Sequence, residues 1–317
     1  MTPRRSRLLA LVAVLSVLVA ACGSSSSTAS KPPLIRSAPA GSPVTGSSRT
    51  PAVLPVPVSS EFRVGDNRVV FSLLDPTGQK PAATPDRSLA IGYTGPNGEV
   101  IASAPLTFIW AIEGVNGVYI GHANFPVAGQ WTAAFTTEAP GSPTITMPFG
   151  FEVKATTQVV WPGDAAPSVK TPTLADVGGD LAKISSDAKP VKQFYETSEA
   201  AALTAKKPFV LIFATPKFCQ SATCGPTLDR LKPVAAAHPE MTFINVEPYQ
   251  LEFANGGLQP VMTGQALTPV EATLAFKLLS EPYVFVVGGD GKVSSSFELV
   301  FAPDEIEAAI KKVETAG

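Results

Sequence analysis

Two cysteines, Cys219 and Cys224, follow the apolar run Phe209–Ala214 and lead directly into Gly225 and Pro226. A thiolate is both nucleophile and leaving group in disulfide exchange, and its pKa falls at a helix N-terminus. A buried strand that delivers two thiols to a helix start therefore sets them up for redox chemistry. Pro226 suits the first turn of such a helix, where a missing N–H breaks no hydrogen bond. Leu228, Leu231, Val234 and Ala235 then fall on one helical face. A separation of five residues turns a side chain about 140° beyond one full turn, so the two thiols cannot face each other within a helix. If their Cα atoms are to come within about 7 Å and form a bond, the residues between them must be a loop, with the helix beginning after Cys224.

The elements around this pair decide where its chemistry would happen. Arg4, Arg5 and Arg7 precede an apolar run from Leu8 to Leu15 that resumes from Val17 to Ala21. A basic start, a short apolar stretch and small residues before a cleavage point describe a secretory signal peptide, and the run is too short for a transmembrane helix. Val19-Ala20-Ala21-Cys22 resembles the lipobox of bacterial lipoproteins. That resemblance implies a signal peptide over residues 1–21, cleavage before Cys22 and lipidation of Cys22; an ordinary signal peptide with an incidental cysteine is the other reading. The protein is expected to be exported and lipid-anchored to the outer face of the bacterial cell membrane. In that compartment disulfides persist, and Cys219 and Cys224 are the two cysteines left to pair.

Residues 22–56 are mostly Ser, Pro, Ala, Gly and Thr without apolar periodicity, which predicts a disordered tether with an end-to-end distance on the order of 30 Å. Beyond it, a hydrophobic content of 45% supports real cores, and a net charge of -2 gives no footprint for nucleic acid. With only His122 and His238 in the chain, a multi-histidine metal centre and a Ser-His-Asp triad are both disfavoured.

Residues 57–155 carry short runs rich in β-branched and aromatic residues, at 68–74, 88–93 and 106–110. Turn signals bound them at Asp75–Gly78, Pro96–Gly98 and Asn116–Gly117, and this spacing predicts a β-sandwich. Trp110, Tyr119, Phe125 and Trp131 are expected in its core. The pattern Gly117–Tyr119, Phe125–Trp131 and Thr132–Phe135 resembles the late strands of extracytoplasmic immunoglobulin-like domains of the copper-resistance type, over roughly ninety residues. The resemblance implies a seven-stranded sandwich. The copper-binding histidines of that family have no counterpart; His122 and Met147 are the candidate soft ligands, and a surface or core role is the simpler reading of each. The domain is expected to be a packing or docking module.

A Pro/Gly-rich linker is predicted over 156–192, and from 193 to 317 the pattern changes to α/β. A helix from Glu199 to Ala205, capped by Thr197 or Ser198, precedes the central strand at 209–214 and the helix after the cysteines. A strand at 241–246, a helix at 269–279, a strand at 283–287, a turn at 288–291, a strand at 292–299 and an amphipathic helix at 303–313 complete the order. With Phe213–Cys219, Cys224-Gly225-Pro226 and Glu281-Pro282-Tyr283 in place, residues 193–317 resemble an extracytoplasmic thioredoxin-like domain. The fold class is thus multidomain, an all-β immunoglobulin-like sandwich followed by a thioredoxin-like α/β domain. The resemblance implies that the cysteine loop is the active site and that Pro282 is a cis-proline opposite it.

The chain departs from the family in several places. Four residues separate the cysteines where the family has two. Aligned instead on Cys224-Gly225-Pro226, the second cysteine position is Thr227. Phe218 stands where tryptophan is usual, and Val210–Ile212 offers no buried acid for proton transfer.

The resulting expectation is thiol–disulfide oxidoreductase activity toward extracytoplasmic protein thiols or disulfides, with Cys219, Cys224 and Pro282 as catalytic residues. Cys224, at the helix start, is the better-stabilised thiolate, and which cysteine attacks is open because the two registers disagree. No cofactor, no metal and no nucleic-acid partner are expected, and the membrane is met through the lipid on Cys22. The alternative is a non-catalytic binding or scaffold lipoprotein in which Cys219–Cys224 is a structural staple, with copper homeostasis as its setting. Copper or zinc on the two thiols would need a further ligand, for which Met262 or His238 are the candidates.

Overall fold

The computed structural model describes residues 52–315, so the signal peptide, Cys22 and most of the tether lie outside the described residues. The described chain is predominantly β. Its first part contains β1 (Leu54–Pro57), β2 (Gly65–Leu74), β3 (Ser88–Thr94), β4 (Val100–Pro105), β5 (Thr107–Ile112), β6 (Asn116–Phe125), β7 (Gly129–Glu138) and β8 (Ile145–Val153). They form two four-stranded antiparallel sheets, ordered β1-β2-β6-β5 and β4-β3-β7-β8. The sandwich therefore has eight strands where seven were implied, because the end of the expected tether, Leu54–Val56, pairs with β2 as β1. Val69, Phe71, Tyr119, Phe125, Trp131 and Phe135 fill the space between the sheets. Their rings meet edge to face, as Phe71 on Phe135 and Phe125 on Trp131, both with centroids 5.0 Å apart.

Two local expectations are corrected here. Asn116-Gly117 is not a tight turn: the chain reverses at Glu113–Val115, where Gly114 takes a φ of 67°, and Gly117 lies inside β6. Gly117 is needed there for space, since a Cβ would run into the Phe108 ring. Trp110 is only partly buried, packed edge to face on Phe108 at the outer sheet.

The second part is built on β9 (Phe209–Phe213), β10 (Thr242–Val246), β15 (Tyr283–Val287) and β16 (Val293–Glu298), in the order β10-β9-β15-β16. β10 runs parallel to β9, while β15 and β16 each run antiparallel to their neighbours. Every residue of β9 and β15 is buried, the reason both read as unbroken apolar runs. Val210 and Ile212 point to the face covered by α2 (Cys224–Ala237) and α4 (Pro303–Glu314). Phe209, Leu211 and Phe213 point to the opposite face, with α1 (Glu199–Ala205) and α3 (Glu271–Ala275). α1 is capped by Ser198, whose hydroxyl accepts from Ala201 N–H.

The stretch from β10 to α3 holds two small hairpins that sequence periodicity did not reveal: β11 (Leu251–Ala254) with β12 (Gly257–Pro260), and β13 (Met262–Thr263) with β14 (Ala266–Leu267). α3 is also shorter than the expected 269–279, ending before Lys277, which takes a φ of 53°. Residues 156–192 are no free linker. Val159 and Val169 enter one core of the α/β body and Leu174 the other, and Ala165 bridges to Lys292.

The outer face of the β1-β2-β6-β5 sheet is covered as well. Val70, Ala111, Val118 and Ile120 pack with Val300 from the α/β body, so Val69, Val70 and Phe71 of β2 are all buried. Around this seam, Arg68 grips Glu305 through Nε at 2.6 Å and Nη2 at 2.9 Å, and Nη2 also donates to Val300 O at 2.8 Å. Ser60 N–H donates to Glu298 Oε2 at 2.8 Å, and Arg230 donates to Trp110 O.

Candidate functional site

The cysteines sit where β9 gives way to α2. Cys219 and Cys224 are joined in a disulfide with Cα atoms 5.9 Å apart, and α2 starts at Cys224 itself. Cys219 is half-buried, whereas Cys224 is 0% exposed. The intervening Gln220–Thr223 segment is a loop in which Ala222 adopts a φ of 62°. That left-handed conformation is costly for a residue with a Cβ, so the surrounding contacts must hold it.

Those contacts are numerous. Ser221 Oγ lies 3.3 Å from Cys219 Sγ and 2.7 Å from Thr223 Oγ1, and it donates to the backbone O of Glu281 at 2.8 Å. Cys224 N–H, in the first turn of α2, points at Cys219 Sγ from 3.2 Å. The helix-start donor thus serves Cys219, not its own side chain. Cys219 is also the more exposed of the two sulfurs.

Pro282 is buried directly beside the loop, and the Glu281–Pro282 peptide is cis. Its C=O accepts from Leu299 N–H at 2.9 Å, and Leu299 O accepts from Thr227 Oγ1 at 2.7 Å. Thr227, the residue at the second cysteine position in the other register, is therefore a buried tie between α2 and the bend before α4.

Val210–Ile212 carry no acid, but a buried carboxyl from another element lies beside the sulfurs. Glu281 is 7% exposed, and one of its carboxylate oxygens lies within 4.8 Å of both sulfurs. Oε1 accepts from Gln220 N–H at 2.9 Å, and Oε2 accepts from Tyr249 Oη at 2.6 Å. Gln220 Nε2 closes the ring by donating to Tyr249 Oη at 3.0 Å. Tyr249 is placed by a bridge to Pro269, where the chain returns from the two hairpins. Sequence reasoning quoted Glu281 but gave it no role, because its nearness to the sulfurs depends on β15 lying beside β9. Tyr249 carried no signal at all.

The other candidate ligands are not brought together. His122 is exposed on β6, whereas Met147 is buried in the sandwich core. His238 caps the far end of α2, about 20 Å along the helix from Cys224. It hydrogen-bonds Glu307 at 2.8 Å and lies 3.4 Å from Glu314; that bond and the two charges raise its pKa above the ordinary value. Met262 is exposed on β13.

No protein-family model and no curated protein matches the sequence. Among solved structures, the chain is similar to a DUF4426 family protein from Pseudomonas aeruginosa PAO1, at 18% identity over 33% of this chain and 89% of that one, with a TM-score of 0.24.

Behind the cysteine loop, Ser186 N–H donates to Glu247 Oε1 at 2.6 Å. Glu247 Oε2 is fully buried and accepts no hydrogen bond among the described residues. Although the residue keeps some exposed surface, burial of its carboxyl pushes the pKa up to about 7.

Proposed function

We propose that this protein is a thiol–disulfide exchange lipoprotein of the bacterial cell envelope, held to the membrane by lipid on Cys22, with a thioredoxin-like α/β domain that carries the chemistry and an immunoglobulin-like sandwich that holds it. The observation that carries this reading is the asymmetric pair at the start of α2: a reachable Cys219 bonded to a fully buried Cys224. The sheet order β10-β9-β15-β16, with one parallel and two antiparallel pairings, supports the fold assignment.

In the oxidising direction a substrate thiolate attacks Cys219 Sγ. The Cys219–Cys224 bond breaks, its electron pair leaves on Cys224 Sγ, and that sulfur takes a proton. A second substrate thiolate then attacks its partner sulfur in the mixed disulfide and expels Cys219 as thiolate. The substrate gains a disulfide and the protein gains two electrons; of the two protons given up by the substrate thiols, one ends on Cys224 and the other is taken up only if the Cys219 thiolate is protonated. In the reducing direction Cys219 thiolate attacks and Cys224 resolves. Cys224 N–H faces the Cys219 sulfur on which charge develops, and a Glu281 carboxylate oxygen within 4.8 Å of both sulfurs is placed to pass a proton.

Single-cysteine variants test the order of attack. Incubated with oxidised glutathione, native Cys224→Ala protein is expected to trap glutathione on Cys219, while Cys219→Ala protein leaves the buried Cys224 unmodified. Equal labelling of both variants, or of neither, would remove Cys219 as the attacking residue. Failure of the wild-type pair to equilibrate with any glutathione buffer would leave the disulfide as a staple.

A further inference from the structure

We propose that the reduced pair, together with Glu281, is a binding site for one divalent ion of the zinc type, and that filling it switches exchange off. The inference rests on the exchange reading in one respect only, that the disulfide opens in the folded protein. Cys219 Sγ, Cys224 Sγ and a carboxylate oxygen of Glu281 all lie within 4.8 Å of one another. Tetrahedral zinc with bonds of about 2.3 Å to sulfur and 2.0–2.2 Å to oxygen needs ligand separations of about 3.5–3.8 Å. Bringing Glu281 to that distance takes a shift of at most about 1.3 Å, and the two sulfurs part as their bond is cut. The four-residue loop between the cysteines supplies slack for this that a pair fixed in one helical turn would lack.

The chemistry of the donors selects the ion. Two thiolates and one carboxylate suit a borderline cation; calcium and magnesium want oxygen alone, and monovalent copper is satisfied by two thiolates without the carboxylate. Glu281 is already oriented for such a task, held through Oε2 by Tyr249 and through Oε1 by the Gln220 backbone. Partners of this kind fix a ligand before the metal arrives. Three protein ligands leave one position for water. Binding is balanced as two thiols plus a carboxylate taking up one Zn2+ and releasing two protons. Because both thiolates are then metal-bound, neither can attack a disulfide.

The test uses the full-length protein in detergent, reduced by a phosphine, with free thiols counted under native conditions. Zn2+ and, as a spectroscopic probe, Co2+ are then added to the reduced and the oxidised forms. One equivalent should bind the reduced form with thiolate-to-cobalt charge-transfer absorption, and none should bind the disulfide form. Glu281→Gln should weaken Zn2+ roughly tenfold or more, and Tyr249→Phe by roughly tenfold, with the thiol count unchanged. Zn2+ should also block reoxidation of the reduced pair by oxidised glutathione, and a chelator should restore it. Two thiols with no metal uptake, or uptake indifferent to Glu281→Gln, would overturn the site and leave the exchange reading standing. No thiols after native reduction would overturn both.

Discussion

Opening the Cys219–Cys224 bond without unfolding the protein is the outcome that most sharply separates an exchanger from a staple. The bond closes a loop with a sequence separation of only five. On the chain-entropy account a loop this short stabilises the fold by about 2 kcal/mol at 25 °C. Against this stand contacts that do not depend on the bond: Ser221 to Glu281 O, Ser221 to Thr223, Gln220 N–H to Glu281 and Tyr249 to Glu281. At about 1 kcal/mol net for each, they are enough to hold the loop after reduction. The two cores on either face of the β10-β9-β15-β16 sheet lie mainly outside the loop. Phosphine reduction without denaturant should therefore release two thiols, lower the melting temperature by about 4–8 °C and leave the near-ultraviolet circular dichroism largely intact. A loss above about 5 kcal/mol in urea unfolding, collapse of the near-ultraviolet signal, or a bond that opens only in denaturant would refute the reasoning.

Other outcomes follow from the same geometry. Cys22→Ala should abolish lipidation and move the protein out of the detergent phase; unchanged mature mass and partitioning would remove the lipid anchor. Arg68→Ala strips Glu305 of its bidentate partner at the seam between the sandwich and the β10-β9-β15-β16 body, where the paired side chains are 11% and 16% exposed, and should cost about 3 kcal/mol at pH 7. Burial pushes Glu305 up, but the Arg68 hydrogen bond and charge outweigh it and hold its carboxyl below the ordinary value. Its stabilising contribution is therefore present above the unfolded-state value and lost as pH falls through the lower folded-state value. The Arg68→Ala deficit should shrink in acid, and a deficit under about 1 kcal/mol at pH 7 would contradict the assignment. Glu247 has the opposite sign: with its folded-state pKa pushed from 4.5 to about 7, the native protein holds the proton more tightly and loses stability as pH rises through that window. Glu247→Gln removes the loss, so the variant should gain roughly 2–3 kcal/mol on wild type between pH 5 and pH 8, and a pH-independent difference would rule this out.

Much of this architecture is fixed by short-range pattern. The unbroken run Phe209–Phe213 reads as a strand covered on both faces, and the rotation between positions 219 and 224 requires a loop between the cysteines if they are to bond. Residues 68–74 were legible as a strand, but the cover on the second face of β2, the seam with Val300, was not. Periodicity also failed on 156–192, where isolated residues such as Val159, Val169 and Leu174 insert singly into the cores with no repeating interval. It failed again on the hairpins at 251–267, whose strands are too short and too exposed to alternate.

The cysteine loop was visible in the sequence because its residues are neighbours along the chain, and their types alone name the chemistry. Glu281 reaches the sulfurs, and Tyr249 reaches Glu281, only because β15 pairs with β9 and the chain returns at Pro269, contacts between residues some thirty to sixty positions apart. The same is true of the choice between the thiols. Composition places both at a helix start, but which sulfur receives the helix N–H and which is sealed from solvent depends on the path of Gln220–Thr223 over the 281–282 peptide. Local sequence determines strands, turns and the nearness of the two cysteines because those depend on neighbouring backbone and side chains; the carboxylate beside the sulfurs and the exposure of each sulfur depend on distances that exist only once the sheet has closed.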